Sequence, residues 1–146
     1  NSSAKKIASI INQKKTKNIL EIGGGTGVLS RYIKNKKLTI IERDHDFFNL
    51  LKSTYPNAKV INECGVKHLK NYSETYGLFT SIPLMKDGRK TELTEIINKH
   101  IENGQLEWFI ILGYRITDQF KNLKFNNRER NFILINLPPA FIWHYY

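Results

Sequence analysis

Apolar residues recur along the chain with two alternating periods. Ala4, Ile7 and Ile11 follow helical spacing and predict an amphipathic helix over residues 3–13. The run Asn18–Ile22 is short, apolar and followed by glycines, which is typical of a buried strand. The alternation continues well past the middle of the chain. It predicts further strands over 38–42, 59–62, 78–81 and 108–112, and helices over 28–34, 46–55 and 93–101, with room for only a short helix within 65–76.

Two strand patterns close the chain. Asn131–Ile135 and Phe141–Tyr145 are predicted strands, and the prolines of Asn136-Leu137-Pro138-Pro139 predict a turn between them. Residues 114–129 are polar and fit neither pattern. Strands that alternate with helices predict a parallel sheet with helices on both faces, and a hairpin pairs antiparallel. The expected fold is α/β: a Rossmann-like, seven-stranded, mostly parallel sheet with a C-terminal antiparallel hairpin, forming a single domain over residues 1–146.

Size and composition fit that expectation. The chain has 146 residues, of which 40% are hydrophobic and 12% aromatic, enough for one domain with a real core. No stretch approaches eighteen consecutive apolar residues, so no transmembrane helix is expected. Cys64 is the single cysteine, which excludes an intramolecular disulfide and favours a reducing, cytoplasmic location.

Positive charge is concentrated at one end of the chain. The formal net charge is +10, and residues 1–37 carry nine Lys or Arg against one acid, Glu21. The first 37 residues therefore hold +8 and the remainder +2. Such a patch suits an anionic membrane surface or a nucleic acid. The alternative is a solvated lysine-rich face with no partner.

A glycine-rich turn follows the first predicted strand and carries the main chemical signal. It reads Glu21-Ile22-Gly23-Gly24-Gly25-Thr26-Gly27. Glycines let the backbone turn sharply and let a ligand approach the main chain closely. The dinucleotide-binding pattern requires glycine or alanine three residues after its second glycine, and Val28 occupies that position. The turn instead resembles motif I of methyltransferases that use S-adenosylmethionine, in which the acid helps hold the methionine ammonium.

Further cofactor contacts are expected at the ends of the next strands. Glu42 ends the second strand, nineteen residues after Gly23, where an acid can accept hydrogen bonds from both ribose hydroxyls. Its alternative role is a solvated acid. Many such enzymes carry an acid after the third strand, but Cys64 stands at that position and Glu63 one residue earlier, so either Glu63 or a backbone group takes the adenine amine. The expected cofactor-binding set is Glu21, Gly23, Gly24, Gly25, Thr26, Gly27, Glu42, Arg43, Glu63, Cys64 and Ser81, with no metal.

Four stretches together resemble the bacterial phospholipid N-methyltransferases, which methylate phosphatidylethanolamine. They are Ser2-Ser3 before the first helix, Ile19–Val28, Ser81-Ile82-Pro83-Leu84, and Asn136–Ala140 followed by Trp143 and Tyr145. The resemblance implies a phospholipid head-group amine as substrate and a peripheral position on the inner membrane face. That family's additional N-terminal helical segment has no counterpart here, so the chain is truncated or divergent, or another anchor replaces the segment.

Two other functions stay open. Ribosomal RNA adenine dimethyltransferases share this architecture and a basic character. Enzymes that methylate an amino group of adenine or cytosine need Asn or Asp, then prolines, then an aromatic after strand four, whereas this chain has Ser81 and Leu84 there. Asn136-Leu137-Pro138-Pro139 is similar to that motif but lies in the last hairpin. The third possibility is a binding module that has kept the fold and lost turnover.

The catalytic candidate follows from the phospholipid acceptor. A phospholipid amine is largely protonated at neutral pH and must lose a proton before it attacks the sulfonium methyl. A tyrosine hydroxyl can orient the amine and pass the proton to water. Tyr114 directly follows the fifth strand, and strand ends ring the site, so it is the expected catalytic residue. Its alternative role is an aromatic at the edge of the core.

Overall fold

The computed structural model describes residues 2–82, 89–134 and 139–146. The described residues form four helices, seven strands and a single 3-10 turn at Ser30–Tyr32. The helices are α1 Ser2–Gln13, α2 His45–Thr54, α3 Gly65–Lys70 and α4 Arg89–Glu102. The strands are β1 Asn18–Ile22, β2 Lys37–Glu42, β3 Lys59–Asn62, β4 Tyr76–Thr80, β5 Leu106–Gly113, β6 Arg128–Ile133 and β7 Ala140–Tyr145.

One seven-stranded sheet organises the domain. Its strand order is β3-β2-β1-β4-β5-β7-β6. The strands β1 to β5 pair in parallel, while β7 lies antiparallel to both β5 and β6. The order reverses between β1 and β4, and ligands bind at such a switch point in open α/β sheets. The predicted fold class is confirmed.

The two faces of the sheet are covered by different helices. Along β1, Ile19 packs with α1 and the 3-10 turn, while Leu20 and Ile22 pack with α3 and α4 on the opposite face. This split follows from the two-residue period of a strand. At some positions of the buried strands, only a residue without a side chain fits. In β4, a side chain at Gly77 would collide with the ring of Trp108.

The predicted helix over 28–34 is wrong, because only the three-residue 3-10 turn forms there. The side chain of Asn12 explains where the helix stops. Its amide donates to the carbonyl of Tyr32 at 2.9 Å and accepts from the backbone N–H of Lys34 at 3.0 Å. A helix through residue 34 would need the N–H of Lys34, and one that reached residue 36 would also need the carbonyl of Tyr32. A contact from α1 therefore replaces the local helix that the sequence pattern favours.

The C-terminal part differs from prediction in its boundaries. Strand β6 begins at Arg128, three residues before the predicted start. Its first residues are polar, so pairing with β7 and not an apolar pattern defines them. Of the predicted motifs, Pro83 and Leu84, and the turn residues 136–138, lie outside the described residues.

Candidate cofactor and acceptor site

The glycine turn lies at the carboxyl edge of the sheet, directly after β1. Gly23, Gly25 and Gly27 have φ of +79°, +52° and +73°, a region that L side chains rarely adopt. The N–H of Gly23 donates to the carbonyl of Ile41 at 2.8 Å, which ties the start of the turn to β2. A Cβ placed on Gly25 would meet no atom within 4 Å. The backbone at Gly25 therefore faces open space that a ligand can fill.

Two cavities lie on either side of this turn, each of about 310 Å³. The first is bounded by the ends of β2, β3 and β4 and includes Glu42 and Phe47. The second lies against the N-terminal end of α1 and includes Glu21. Both cavities are lined by Gly23, Gly25 and Ser81. The arrangement suits one elongated ligand whose two ends differ in chemistry and whose middle passes the glycine turn and Ser81.

Glu42 is held in place by two backbone groups. Its carboxylate accepts from the N–H of Gly25 at 3.0 Å and from the N–H of Asp44 at 2.9 Å, and the residue is only 8% exposed. A carboxylate offers about four acceptor positions, so two remain for other donors. The carboxylate lines the first cavity and fits the predicted contact with ribose hydroxyls.

Glu21 is a buried acid without a salt bridge among the described residues. It is 2% exposed, and the hydroxyl of Ser30 donates to its carboxylate at 2.7 Å. Burial raises the pKa of Glu21 to about 7, the Ser30 hydrogen bond opposes that rise, and the negative charge of Glu42 adds to it. An acid in this position favours a cationic group in the second cavity, which fits a methionine ammonium.

The end of β3 contributes two adjacent residues to the first cavity. Glu63 faces it but also contacts Lys67 at 3.3 Å and His68 at 3.1 Å, and these partners lower the pKa of its carboxyl group. Cys64 precedes α3 and caps it with no side-chain hydrogen bond. Both residues line the first cavity, where the adenine contact is expected. Whether Glu63 or a backbone group near Cys64 contacts the adenine amine stays a prediction.

Most of the predicted cofactor residues come together at the two cavities. Gly24 and Thr26 line the second cavity, and Arg43 lines the first. Gly27 lines neither cavity. Instead, the hydroxyl of Tyr55 donates to its carbonyl at 2.7 Å and the tyrosine ring fills the space where a side chain would lie. Gly27 therefore shapes the turn without facing the ligand.

Tyr114, the predicted catalytic residue, comes two residues after Leu112, which lines the second cavity. It follows β5 at the correct edge of the sheet, but it is 63% exposed and lines neither cavity. The structure gives its catalytic role no support, and the role remains a prediction.

Sequence reasoning missed several lining residues. Phe47 and Arg89 line the first cavity, and Ser3 of α1 lines the second. Phe47 is a large apolar residue in the first turn of α2 and is 41% exposed, so its position in a helix that begins beside the site was an available signal. Arg89 begins α4, and only the tertiary structure brings it to the cavity.

The fold and paired cavities define a class, the methyltransferases with a Rossmann-like sheet. Three solved structures of this class resemble the chain. The 23S rRNA methyltransferase ErmE has 17% identity and a TM-score of 0.67, with 99% of this chain and 66% of that chain covered. The N-terminal domain of human METTL16 in complex with SAH has 12% identity and a TM-score of 0.67, covering 99% and 67%. Precorrin-6y C5,15-methyltransferase from Geobacter metallireducens has 10% identity and a TM-score of 0.71, covering 97% and 86%.

Comparison of the amino-acid sequence gives matches to a more specific group of methyltransferases. Residues 1–68 match the family model described as ribosomal RNA adenine dimethylase. Ribosomal RNA small subunit methyltransferase A of Pelagibacter ubique is 33% identical over 121 residues, covering 73% of this chain and 44% of the relative. The protein of that name from Hydrogenobaculum sp. is 26% identical over 105 residues, covering 64% and 42%. The chain thus spans less than half the length of these curated relatives.

These matches confirm two expectations and overturn a third. The methyltransferase class and S-adenosylmethionine as its cofactor are confirmed, because the matching family and relatives are methyltransferases of that kind. The resemblance to phospholipid N-methyltransferases is wrong, and with it the phospholipid substrate and the membrane association. Motif I is common to the whole class, and the more specific stretches were too short to separate one family from another. No helix in the described ranges is long and apolar enough to span a bilayer.

Proposed function

We propose that this domain methylates RNA and that its acceptor is an adenine amine of ribosomal RNA. The observation that carries the proposal is the family match over residues 1–68. That segment contains the glycine turn, Glu21 and Glu42, and it begins with the helix that borders the second cavity. The relatives' names, ribosomal RNA small subunit methyltransferase A, give the same substrate class.

The residues of the two cavities fit the cofactor that such an enzyme needs. When bound, S-adenosylmethionine supplies an electrophilic methyl group on a sulfonium. Glu42 is positioned to accept hydrogen bonds from ribose hydroxyls, and Glu21 to hold an ammonium in the second cavity. Both acids are buried and fixed by hydrogen bonds, so they orient the ligand at little further entropic cost.

Ser81 is the described residue best placed to contact the acceptor. It directly follows β4 and lines both cavities, so it borders the place where they meet. Its hydroxyl can accept one hydrogen bond from an exocyclic amine. An adenine amine is neutral at physiological pH and needs no deprotonation before attack. An RNA acceptor therefore needs no base to deprotonate it before attack, which was the reason for assigning Tyr114, and the proton that the nitrogen loses on methylation passes to water.

The charge distribution supports the same acceptor. Residues 1–37 carry a net charge of +8, and Lys5 and Lys6 of α1 and Lys15, two residues after its end, are exposed. RNA phosphates are the polyanion that such a surface attracts. Ribosomal RNA as substrate is compatible with a cytoplasmic location and gives no role to a membrane face.

The deciding experiment supplies the domain with methyl-labelled S-adenosylmethionine and offers two acceptors in parallel, ribosomal RNA and phosphatidylethanolamine vesicles. We expect label in RNA only, and nuclease digestion should recover it as N6-methylated adenosine. Label in lipid, or in another nucleoside, would refute the proposed acceptor. Binding of both cofactor and RNA without any transfer would favour the binding module. Gly25→Ala serves as the negative control, since Gly25 borders both cavities.

A further inference from the structure

Three aromatic rings and an arginine lie together on the C-terminal hairpin, on the face that α3 and α4 cover elsewhere; the arginine and one ring are exposed and the other two rings are partly buried. Its members are Arg130 and Phe132 of β6 and Phe141 and Trp143 of β7, hereafter the hairpin surface. Alternate strand residues share a face, and Phe132 pairs with Phe141 while Arg130 pairs with Trp143. The Phe132 and Phe141 ring centroids are 5.0 Å apart. The Arg130 guanidinium lies 5.9 Å from the Phe141 ring and 5.6 Å from the Trp143 ring.

Only one end of this face is covered by the described chain. Residues 114–127 fold over Tyr145, where Phe125 stacks on its ring and Asp118 accepts from its hydroxyl at 2.6 Å. The same segment also reaches Arg130, whose guanidinium donates to the carbonyl of Ile116, and Trp143 is partly buried, so the open part of the hairpin surface is its Phe132 end. Phe132 is 53% exposed, and β6 is the edge strand of the sheet. A large aromatic residue at this exposure, beside further rings, is typical of a binding surface.

The charge of the surface indicates what it binds. Residues 113–134 contain five Lys or Arg and two acids. Asp118 is already paired with Arg128 at 2.8 Å, and Glu129 lies on the opposite face near His144. Arg130 has no carboxylate partner within the described ranges, and its polar contact is the carbonyl of Ile116 at 3.2 Å. An uncompensated, exposed cation beside partly exposed rings complements a polyanion that carries aromatic bases.

The hairpin surface also lies at the same edge of the sheet as the cofactor site. Phe141 pairs with Gly113 at the carboxyl end of β5, and β5 pairs with β4, which leads to Ser81. Strands are about 4.8 Å apart, so two strand spacings put β7 on the order of 10 Å from β4. One RNA strand can span that distance from the cavities to the hairpin.

We propose that the hairpin surface binds single-stranded RNA flanking the acceptor nucleotide, with a base stacked on Phe132 and a phosphate held by Arg130. This inference rests on the proposed function, because it assumes an RNA substrate. Stacking on aromatic side chains and arginine contacts to the backbone are the usual means of binding unpaired RNA. The surface adds to the basic α1 face and provides affinity with little sequence preference.

The test measures binding of an unstructured fluorescent RNA oligonucleotide by anisotropy over a range of salt concentrations. Phe132→Leu keeps an apolar side chain but removes the ring, and should weaken binding about five- to hundredfold, the effect of losing one stacked base. Phe132→Tyr should bind like the original protein. Arg130→Ala should reduce the slope of log affinity against log salt by about one phosphate contact. Leu50→Ala, at a 45% exposed position on α2, is the control and should have no effect.

The outcomes separate this inference from the proposed function. If the unaltered domain binds and methylates RNA while Phe132→Leu and Arg130→Ala bind it equally well, the hairpin inference is wrong and the function stands. If the unaltered domain neither binds nor methylates RNA, the proposed function is wrong, and the hairpin inference, which rests on it, is wrong as well. Self-association that Phe132→Leu abolishes, with RNA affinity unchanged, would assign the surface to a second copy of the chain. Thermal unfolding of each variant checks that it is folded.

Discussion

At the scale of single residues, two glycines that both have positive φ are expected to have different functions. Gly25 and Gly104 have φ of +52° and +69°, and a Cβ on either meets no atom within 4 Å. Alanine at either position should therefore cost a similar amount of stability, about 1–2 kcal/mol for a left-handed residue. Only Gly25→Ala should abolish cofactor binding in calorimetric titration, because Gly25 borders both cavities. If a folded Gly25→Ala variant bound the cofactor as tightly as the original protein, the glycine turn would not be part of the cofactor site.

The buried acid at the start of the turn predicts a pH dependence. The pKa of Glu21 is raised to about 7, chiefly by burial. Only the ionised carboxylate attracts an ammonium, so affinity for S-adenosylmethionine should fall as pH decreases through 7. Between pH 7 and pH 5.5 the loss should be on the order of tenfold, since each unit below the pKa reduces the ionised fraction up to tenfold.

Glu21→Gln is the matched variant for this prediction. It keeps an acceptor for Ser30 and removes the charge, so it should bind more weakly and with little pH dependence between 5.5 and 7. A Glu21→Gln variant with the same pH profile as the original protein would assign the titration to another group.

At the scale of elements, the start of α2 connects helix stability to the site. The Asp44 carboxylate accepts from the N–H groups of Asp46 at 3.0 Å and Phe47 at 3.1 Å, while its own N–H donates to Glu42. Asp44→Ala removes this N-cap and should lower the free energy of unfolding by about 1 kcal/mol in urea. Asp44→Asn should retain most of it, because asparagine is an equally good N-cap. Loss of stability in both variants would mean that the charge, and not the cap, stabilises α2.

At the scale of the whole molecule, the basic N-terminal third should act as an electrostatic surface for RNA. We expect alanine at Lys5 and Lys6 of α1 and at Lys15, two residues after its end, to weaken RNA binding at low salt and to flatten its salt dependence. For single-stranded nucleic acid, each phosphate contact removed lowers the slope of log affinity against log salt by about 0.7. The loss of three contacts should therefore lower that slope by about 2. Anisotropy titrations at several salt concentrations measure both quantities.

The control for this variant changes net charge equally at other exposed lysines, namely Lys52, Lys59 and Lys99. It should leave the salt slope nearly unchanged if the α1 face is the contact. An equal loss of RNA affinity in both triple variants would show that net charge alone drives association. In that case α1 would not be a specific RNA-binding surface.

The order of strands and helices was predictable because local patterns encode it. The predicted strands over 18–22 and 59–62 agree with β1 and β3 to the residue. The glycine turn was predictable because only glycine combines left-handed backbone with open space, as at Gly25. The position of Glu42 beside the glycine turn was predictable from its distance along the chain, because parallel neighbouring strands end at the same edge of the sheet, and its contact with ribose stays a prediction.

The tertiary structure decided the features that depend on contacts distant in sequence. Asn12 of α1 replaced the expected helix after the glycine turn with a 3-10 turn. Pairing with β7 extended β6 over polar residues that carry no strand pattern. Tyr114 has the predicted position in the chain and still lies outside both cavities, because the direction of a side chain after a strand depends on the packing around it.

The amino-acid sequence by itself determined the class of this protein, since repeating periods and a glycine turn are properties of neighbouring residues. It did not determine the acceptor, because motif I serves every member of the class and the more specific stretches were short. The tertiary structure decided which residues meet, by joining Phe47 and Arg89 to one cavity and assembling the hairpin surface from two strands. The physical reason is that side-chain packing and strand pairing across the sheet act between residues far apart in the chain, where no local pattern records them.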